Sequence, residues 1–576
     1  MSNFVRALLN LRVTLIVPLL VGFCLLAMAR WRPALGSKWF KTIESCLCMF
    51  ARRRVLAAIL LGLAPIVLRL ALLPIYRPPI PAIHDEFGHL LVADTLLHGR
   101  FANPPNVFHD FFESLYIIQS PTYSSYYPIG IGASLAIGRM LFGHPWGGVL
   151  LFDGLMCALV YWMLLAWVTP GWAFLGSTLL IFNMGVLSLW ANSYWGGAAA
   201  AVAGCLIFGA IPRLIDTPGA RNGLLLGIGL SYLALIRPFE TALLGPCLFV
   251  FAFLYQDAVF TKKFQRKLAL LVVGIAPGIC ITLLHNHAVT GNWTKLPYEL
   301  SREQYGVPQT FNFQAPAIPH QALTPAQQAM YDWQIKTRRS VTTLSGWLEE
   351  LPGRLDTIHI FLGGVVTPVL IFLPFSLYGR RLWWAFGTVI FTFLGGSTYG
   401  FFNPPYVAHL TGLFLLLGIA CMMRMNQVMW GRTAVRLLIS FAVCYFAVLY
   451  AFYTVREALP ASVQRNHIVV RELAPLTRPT QRSQVADYLE KIGGRHLVFV
   501  NYLPGHDMQH EWVFNAADIN ASRIVWALDL GDLKDKQLMH YYPGRTVWRV
   551  DVGDEKTQVR ILTGSPLKLV PYNPWP

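Results

Sequence analysis

The chain has 576 residues, 55% of them hydrophobic and only 13% charged, with a mean hydropathy of +0.48, a balance that excludes a chain built mainly of soluble domains. A net charge of +17 would suggest nucleic acid in a soluble protein, but these cations cluster in short loops between apolar runs, the pattern that orients a polytopic membrane protein. No nucleic-acid partner is expected. The nine cysteines fall in apolar runs or in the basic Arg30–Arg54 stretch, so neither a disulfide framework nor a cysteine zinc site is implied.

Apolar runs able to cross about 30 Å of hydrocarbon occur near 13–29, 55–76, 146–168, 172–190, 195–212, 222–236, 240–255, 268–285, 358–375, 382–397, 406–423 and 435–455. The first resembles a signal peptide, but no small-residue cleavage pattern follows it, so it reads as a retained helix. If these twelve spans alternate, the basic groups Arg30–Arg54, Arg213–Arg221, Lys262–Lys267, Arg380-Arg381 and Arg424–Arg436 share one side. That side is cytoplasmic. The polar stretches 77–145, 286–357 and 456–576 then face outward, provided that Pro128–Phe142 lies in the outer interface as a short helix. The expected organisation is an N-terminal helix and basic cytoplasmic loop (1–54), a transmembrane domain (55–455) with outer loops 77–145 and 286–357, a Pro-rich linker (456–482) and a small periplasmic α/β domain (483–576). In that last domain Gln484–Ile492 reads as a helix, and Leu497–Tyr502, Ile524–Leu528, Thr546–Val552 and Val559–Leu562 read as strands.

Two charged residues sit within spans. Arg69 is seven residues before Tyr76 and Asp153 eight after Pro145, so each lies roughly 10–12 Å below the outer interface. At matching depth, an Arg and an Asp are expected to pair, because either alone in hydrocarbon is costly.

The first outer loop is dense in acids and histidines: His84-Asp85-Glu86-Phe87 follows the second span, then His89, Asp94, Asp110 and Glu113. Acids at a membrane exit lose hydration and persist where a pocket, cation or substrate compensates them. The loop continues through Ser120-Pro121-Thr122-Tyr123 and Tyr126-Tyr127-Pro128-Ile129-Gly130 to Phe142-Gly143. Further along stand Ala191-Asn192-Ser193-Tyr194-Trp195-Gly196-Gly197, Arg237-Pro238-Phe239-Glu240, Leu296-Pro297-Tyr298 and the Tyr406–His409 turn.

This ordered set resembles the membrane glycosyltransferases of the GT-C superfamily, which includes protein O-mannosyltransferases and lipid A aminoarabinose transferases. The resemblance implies an α-helical polytopic membrane protein of about 11–12 spans with a small C-terminal periplasmic α/β domain, in the bacterial inner membrane. It implies inverting transfer of a hexosyl or pentosyl group from a polyprenyl-phosphate donor to a glycan, lipid or protein acceptor at the periplasmic face. Asp85, first of the pair, matches the family's acid and is the expected base. Glu86 would orient it or the acceptor, or could instead be a structural cap.

The lipid-phosphate leaving group calls for a cation at the outer end of a span. Arg237 and Glu240 bracket Pro238 at such a break, with a mutual ion pair as the alternative; Lys295 is a further candidate, against a solvated lysine. Tyr194 and Tyr406 could stack on sugar or lipid, or belong to an interfacial aromatic belt, and His409 shares the Tyr406 turn. One departure matters. Superfamily members often carry a second acid where this chain has Asn192, so a second carboxylate role would pass to Asp110 or Glu113, or be absent. No cofactor is expected, although His84 and His89 could bind a divalent metal. A transporter or flippase of a lipid-linked saccharide is the rival reading, but no pair of similar halves with matching broken helices stands out. A non-enzymatic envelope-assembly protein is the third.

Overall fold

The structure is a computed structural model that describes residues 16–35, 37–216, 221–256, 262–305, 311–314, 323–339, 341–455, 480–504, 506–553 and 570–571. It is an α-helical bundle carrying a small sheet near the C-terminus. Among the described residues, six helices are long and apolar enough to cross a membrane: Arg54–Ala71, Trp146–Leu164, Gly197–Asp216, Lys267–Thr290, Pro404–Gln427 and Gly431–Phe452. Shorter apolar helices accompany them at Val17–Trp31, Ile129–Phe142, Arg221–Ile236, Pro238–Leu254 and Thr367–Ser376.

Three stretches depart from the sequence expectation. The apolar run at 172–190 narrows to a helix at Pro170–Asn183. The run at 358–375 ends the Leu344–Val366 helix and continues as a 3₁₀ turn, Thr367–Phe372, before a last turn at Leu373–Ser376. Pro368 and Pro374 each sit near the start of a new turn, where a missing N–H costs nothing. The basic stretch 30–54 contains a helix, Ser37–Arg52, not only a loop. Its Trp39, Ile43, Leu47 and Phe50 form an exposed apolar stripe at helical spacing. On a neighbouring face Glu44 pairs with Arg436 at 2.7 Å and Arg432 at 3.0 Å. Arg381 likewise forks onto Asp216, so several of the basic segments are joined to one another.

Arg69 and Asp153 do not form the expected pair. Arg69 is wholly buried and donates to Asn192 Oδ1 (2.7 Å), Tyr76 O (2.9 Å) and Arg77 O (3.0 Å). Its guanidinium also lies 4.7 Å over the Trp146 ring. Tyr76 and Arg77 lie beyond the end of the helix at Ala71, and their carbonyls with Asn192 give Arg69 acceptors without a carboxylate. Both Asp153 oxygens are buried without a hydrogen bond among the described residues. The side chain at the position of the missing second acid, Asn192, is thus the partner of Arg69.

The C-terminal sheet has the order Ile524–Leu528, His496–Tyr502, Thr546–Val552, Val570–Pro571; the first three strands are parallel and the last antiparallel. Thr480 caps the helix Gln481–Ile492 by accepting from Ser483 N at 3.1 Å. The helix Asp532–Tyr541 stands where no helix is read from the sequence. The body of the expected linker and the strand expected at Val559–Leu562 lie outside the described residues.

Side chains alternate across the central strand. Val498 and Val500 pack with Val485, Leu489 and Trp526. Leu497 and Phe499 pack instead with Leu91, Phe111, Phe112, Ile117 and Tyr123 of the first polar stretch. Both faces are covered, as a parallel sheet requires, and one cover is the segment that carries the acidic pair.

Candidate functional site

The acidic pair opens a helix, His84–Leu97. Asp85 and Glu86 occupy its first turn, where carboxylates complement the partial positive charge of the exposed N–H groups. Asp85 is half-buried and accepts a short hydrogen bond from the Tyr127 hydroxyl. That approach needs a glycine beneath the ring, since a Cβ at Gly88 would stand 2.7 Å from Tyr127.

Around Asp85 the tyrosines form a contiguous wall. Tyr116 stacks on Tyr126 at 4.6 Å, and Tyr126 meets Tyr127 and Tyr298 edge-on, each at 4.5 Å. Burial first, and the Asp85 charge second, hold the Tyr116 and Tyr127 phenols well above their ordinary range. They stay neutral hydrogen-bond donors.

Arg237 reaches the same wall from another element. It stands at the break between Arg221–Ile236 and Pro238–Leu254, where the residue before a proline is pushed out of helical geometry. Its guanidinium lies 4.8 Å over the Tyr406 ring, and its buried Nε has no hydrogen-bond partner among the described residues. Glu240 is coupled to it electrostatically, but no ion pair within 4 Å joins them among the described residues. One Glu240 oxygen faces the Tyr399 hydroxyl at 3.4 Å and the other is unpartnered.

Two histidines complete the cluster. His89 is 2% exposed, lies 4.2 Å from the Tyr127 ring and has an unpartnered Nδ1. Burial first and the Arg237 charge second push its imidazole down to about 3, so it is neutral. His409 is fully buried with both ring nitrogens unpartnered, also within the influence of Arg237. Its backbone is pressed so closely on Gly204 that a Cβ there would sit 1.8 Å from the His409 carbonyl. Tyr126 and Tyr298 also border a small cavity of about 20 Å³, lined further by Ile129, Leu235, Pro238, His285 and Asn286.

The structure therefore brings Asp85, Arg237, Tyr406 and His409 to one tyrosine-lined site, with Glu240 behind Arg237. Other candidates take different places. Glu86 accepts backbone N–H groups from Ala82 (3.0 Å) and Tyr194 (3.2 Å), contacts that fit its alternative reading as a structural cap; burial raises its carboxyl, partly offset by those donors. Tyr194 is 2% exposed and donates to Pro79 O at 2.9 Å, so its hydroxyl is committed within the protein. Lys295 is paired with Glu303 near the surface. His84 contacts Glu511 and Met508; at five residues' separation it and His89 point to different sides of the helix.

Asp110 is an exposed partner of His109. Glu113, pushed up to about 7 by burial and then by Asp110, accepts from Gln327 at 3.1 Å. Neither joins Asp85. Among the described residues no group of three or more His, Cys, Asp or Glu side chains gathers around a metal-sized site. Sequence reasoning left His89 without a role beside Arg237 and did not single out Tyr116 or Tyr399. A histidine four positions after Asp85, one turn along the same helix face, was the available signal.

No protein-family model and no curated protein matches this chain. Among solved structures it is similar to ArnT from Cupriavidus metallidurans bound to undecaprenyl phosphate, with a TM-score of 0.49 and 13% identity over 88% of this chain and 94% of that one. It is also similar to the archaeal oligosaccharyltransferase AglB from Archaeoglobus fulgidus in complex with an inhibitory peptide and a dolichol-phosphate, with a TM-score of 0.42 and 10% identity over 87% of this chain and 70% of that one.

Proposed function

We propose that this protein is an inverting glycosyltransferase that moves a sugar from a polyprenyl-phosphate donor to an acceptor hydroxyl at the periplasmic face of a bacterial inner membrane. The observation that carries the reading is the convergence of one half-buried carboxylate, Asp85, with a cluster of buried polar atoms that lack hydrogen-bond partners among the described residues: Arg237 Nε, His89 Nδ1 and both His409 ring nitrogens. Buried donors are normally satisfied, and a phosphate monoanion offers several acceptor oxygens to such a group.

In the proposed reaction Asp85 takes the proton of the acceptor hydroxyl as its oxygen bonds to the anomeric carbon. The bond from that carbon to the phosphate oxygen breaks on the opposite face, which inverts the centre, and the electron pair leaves with the lipid phosphate. Arg237 stabilises the charge that develops there, and an N–H of His89 or His409 would donate a further hydrogen bond to the same oxygens. Tyr127 holds the Asp85 carboxylate in one orientation. Glycan, lipid and protein all remain acceptor classes that this chemistry accommodates.

Asp85→Asn tests the reading with a synthetic polyprenyl-phosphate hexose or pentose as donor. The amide keeps the shape but cannot act as base, so the transfer rate should fall about 10²–10⁴-fold while the donor still binds. Transfer at the wild-type rate would remove Asp85 from the chemistry.

A further inference from the structure

The helix that carries Asp85 has a second face, and it belongs to the C-terminal unit. His84, Phe87, Leu91 and Asp94 are spaced by three, four and three residues and so form one stripe, and each meets that unit. His84 Nδ1 lies 3.2 Å from Glu511 Oε2 as an ion-pair contact. Phe87 stacks on Phe514 at 4.6 Å under the Arg482 guanidinium. Leu91 shares a core with Phe499 and Leu497. Asp94 accepts from Ala517 N at 2.7 Å, and from Arg139 at 2.7 Å on its other oxygen. Backbone contacts continue the grip, because Glu511 N donates to Ala82 O at 3.2 Å and Ile83 bridges to His510.

Glu511 is the most heavily tied group at this junction. Besides His84 it accepts from Ser114 Oγ (2.6 Å), Tyr502 Oη (2.6 Å), Trp512 N (2.8 Å) and Val513 N (2.7 Å). Only 7% of the residue is exposed. A buried ion pair of this kind adds little net stability over well-packed apolar side chains, because desolvation offsets the attraction. What it does enforce is geometry, and here it acts on the residue immediately before Asp85.

We propose that Glu511 is a positioning residue that, through His84, fixes the rotation of the His84–Leu97 helix and so the placement of the Asp85 carboxylate; the C-terminal unit is then a working part of the site. The inference rests on the transferase reading above, and goes beyond it in assigning a role to the distant unit. Rigid elements position a reacting group better than loops do, and small misplacements are costly in rate.

The test uses the full chain in lipid nanodiscs and compares wild type, Glu511→Gln and, as a control in the same unit away from this helix, Arg523→Ala. With a polyprenyl-phosphate sugar as donor, Glu511→Gln should lower kcat at least tenfold with donor KM within threefold of wild type, and Arg523→Ala should change neither. Hydrogen exchange supplies a readout independent of turnover: amides of 84–97 should exchange faster in Glu511→Gln, while those of 411–427 should not. If Glu511→Gln does not purify folded, His84→Gln serves for the same two measurements. A wild-type kcat in the variant, or unchanged exchange over 84–97, overturns the proposal. A wild-type protein that transfers no polyprenyl-phosphate sugar, together with faster exchange in the variant, would remove the transferase reading and leave the clamp standing.

Discussion

The guanidinium of Arg237 lies 4.8 Å over the ring of Tyr406, two residues from distant parts of the chain that meet beside the Asp85 site. A planar guanidinium can stack on an aromatic face and still present parallel donors at its edge, which an ammonium cannot reproduce. Arg237→Lys should therefore weaken donor binding although charge is kept, and Arg237→Ala should weaken it further, by about 1.5–3 kcal/mol for a lost charged hydrogen bond. Titration of a polyprenyl phosphate against each purified variant checks this; equal affinity in Arg237→Ala would exclude the residue from the phosphate site.

Tyr127 is predicted to matter through its hydroxyl alone. Tyr127→Phe keeps the ring that packs on His89 but removes the donor to Asp85. A hydrogen bond to a charged group contributes about 1.5–3 kcal/mol, so kcat should fall roughly tenfold or more while the melting temperature stays near that of wild type. A variant that melts early yet turns over normally when folded would contradict this.

The His84–Glu511 junction predicts a pH dependence of stability. Burial opposes charge on His84, but the Glu511 carboxylate more than offsets it and raises the imidazole above 6.5. That contribution is complete below 6.5 and is lost as pH rises through the raised value. Burial likewise opposes charge on Glu511, but His84, Ser114 and Tyr502 hold its carboxyl down at about 2, against 4.5 ordinarily. Its contribution is complete above 4.5 and is lost as pH falls from there toward 2. Asp85, Tyr116 and Met508 also face His84, and Arg482 and His506 are coupled to Glu511. The difference in melting temperature between wild type and Glu511→Gln should thus be greatest between 4.5 and 6.5 and shrink on either side; a difference that is flat with pH would show that the pair is not ionised.

Arg69 and Asp153 should behave independently. Removing Arg69 strips donors from Asn192 and from the Tyr76 and Arg77 carbonyls, so Arg69→Ala should cost about 1–3 kcal/mol. Asp153→Leu, which replaces a buried carboxyl with no hydrogen bond among the described residues, should be neutral or stabilising. The double variant should equal the sum to within about 0.5 kcal/mol; strong coupling in thermal unfolding would restore the ion pair.

The proposed orientation is testable at two exposed positions, Val107 (80% exposed) and Leu533 (83% exposed). Single cysteines placed there in a cysteine-free background should react with an impermeant thiol reagent in cells whose outer envelope has been made permeable. Labelling at either site only after lysis would reverse the orientation.

The apolar runs by themselves determined a helical membrane protein, because hydrocarbon leaves a polypeptide few ways to satisfy its backbone. Short apolar runs at Leu497–Tyr502 and Ile524–Leu528, with the partly alternating Thr546–Val552, likewise exposed the small sheet, since strands covered on both faces are apolar nearly throughout. Asp85 and Arg237 stood out as charges at the ends of apolar segments. What covers each face of the His84–Leu97 helix could not be read, because Tyr127, Arg237, His409 and Glu511 reach it from separate segments and only packing brings them together. Depth along a helix likewise suggested Arg69 with Asp153, but depth carries no information about rotation around the axis. The tertiary structure decided that Arg69 faces Asn192, and that His84 reaches Glu511 while the adjacent Asp85 takes the Tyr127 hydroxyl.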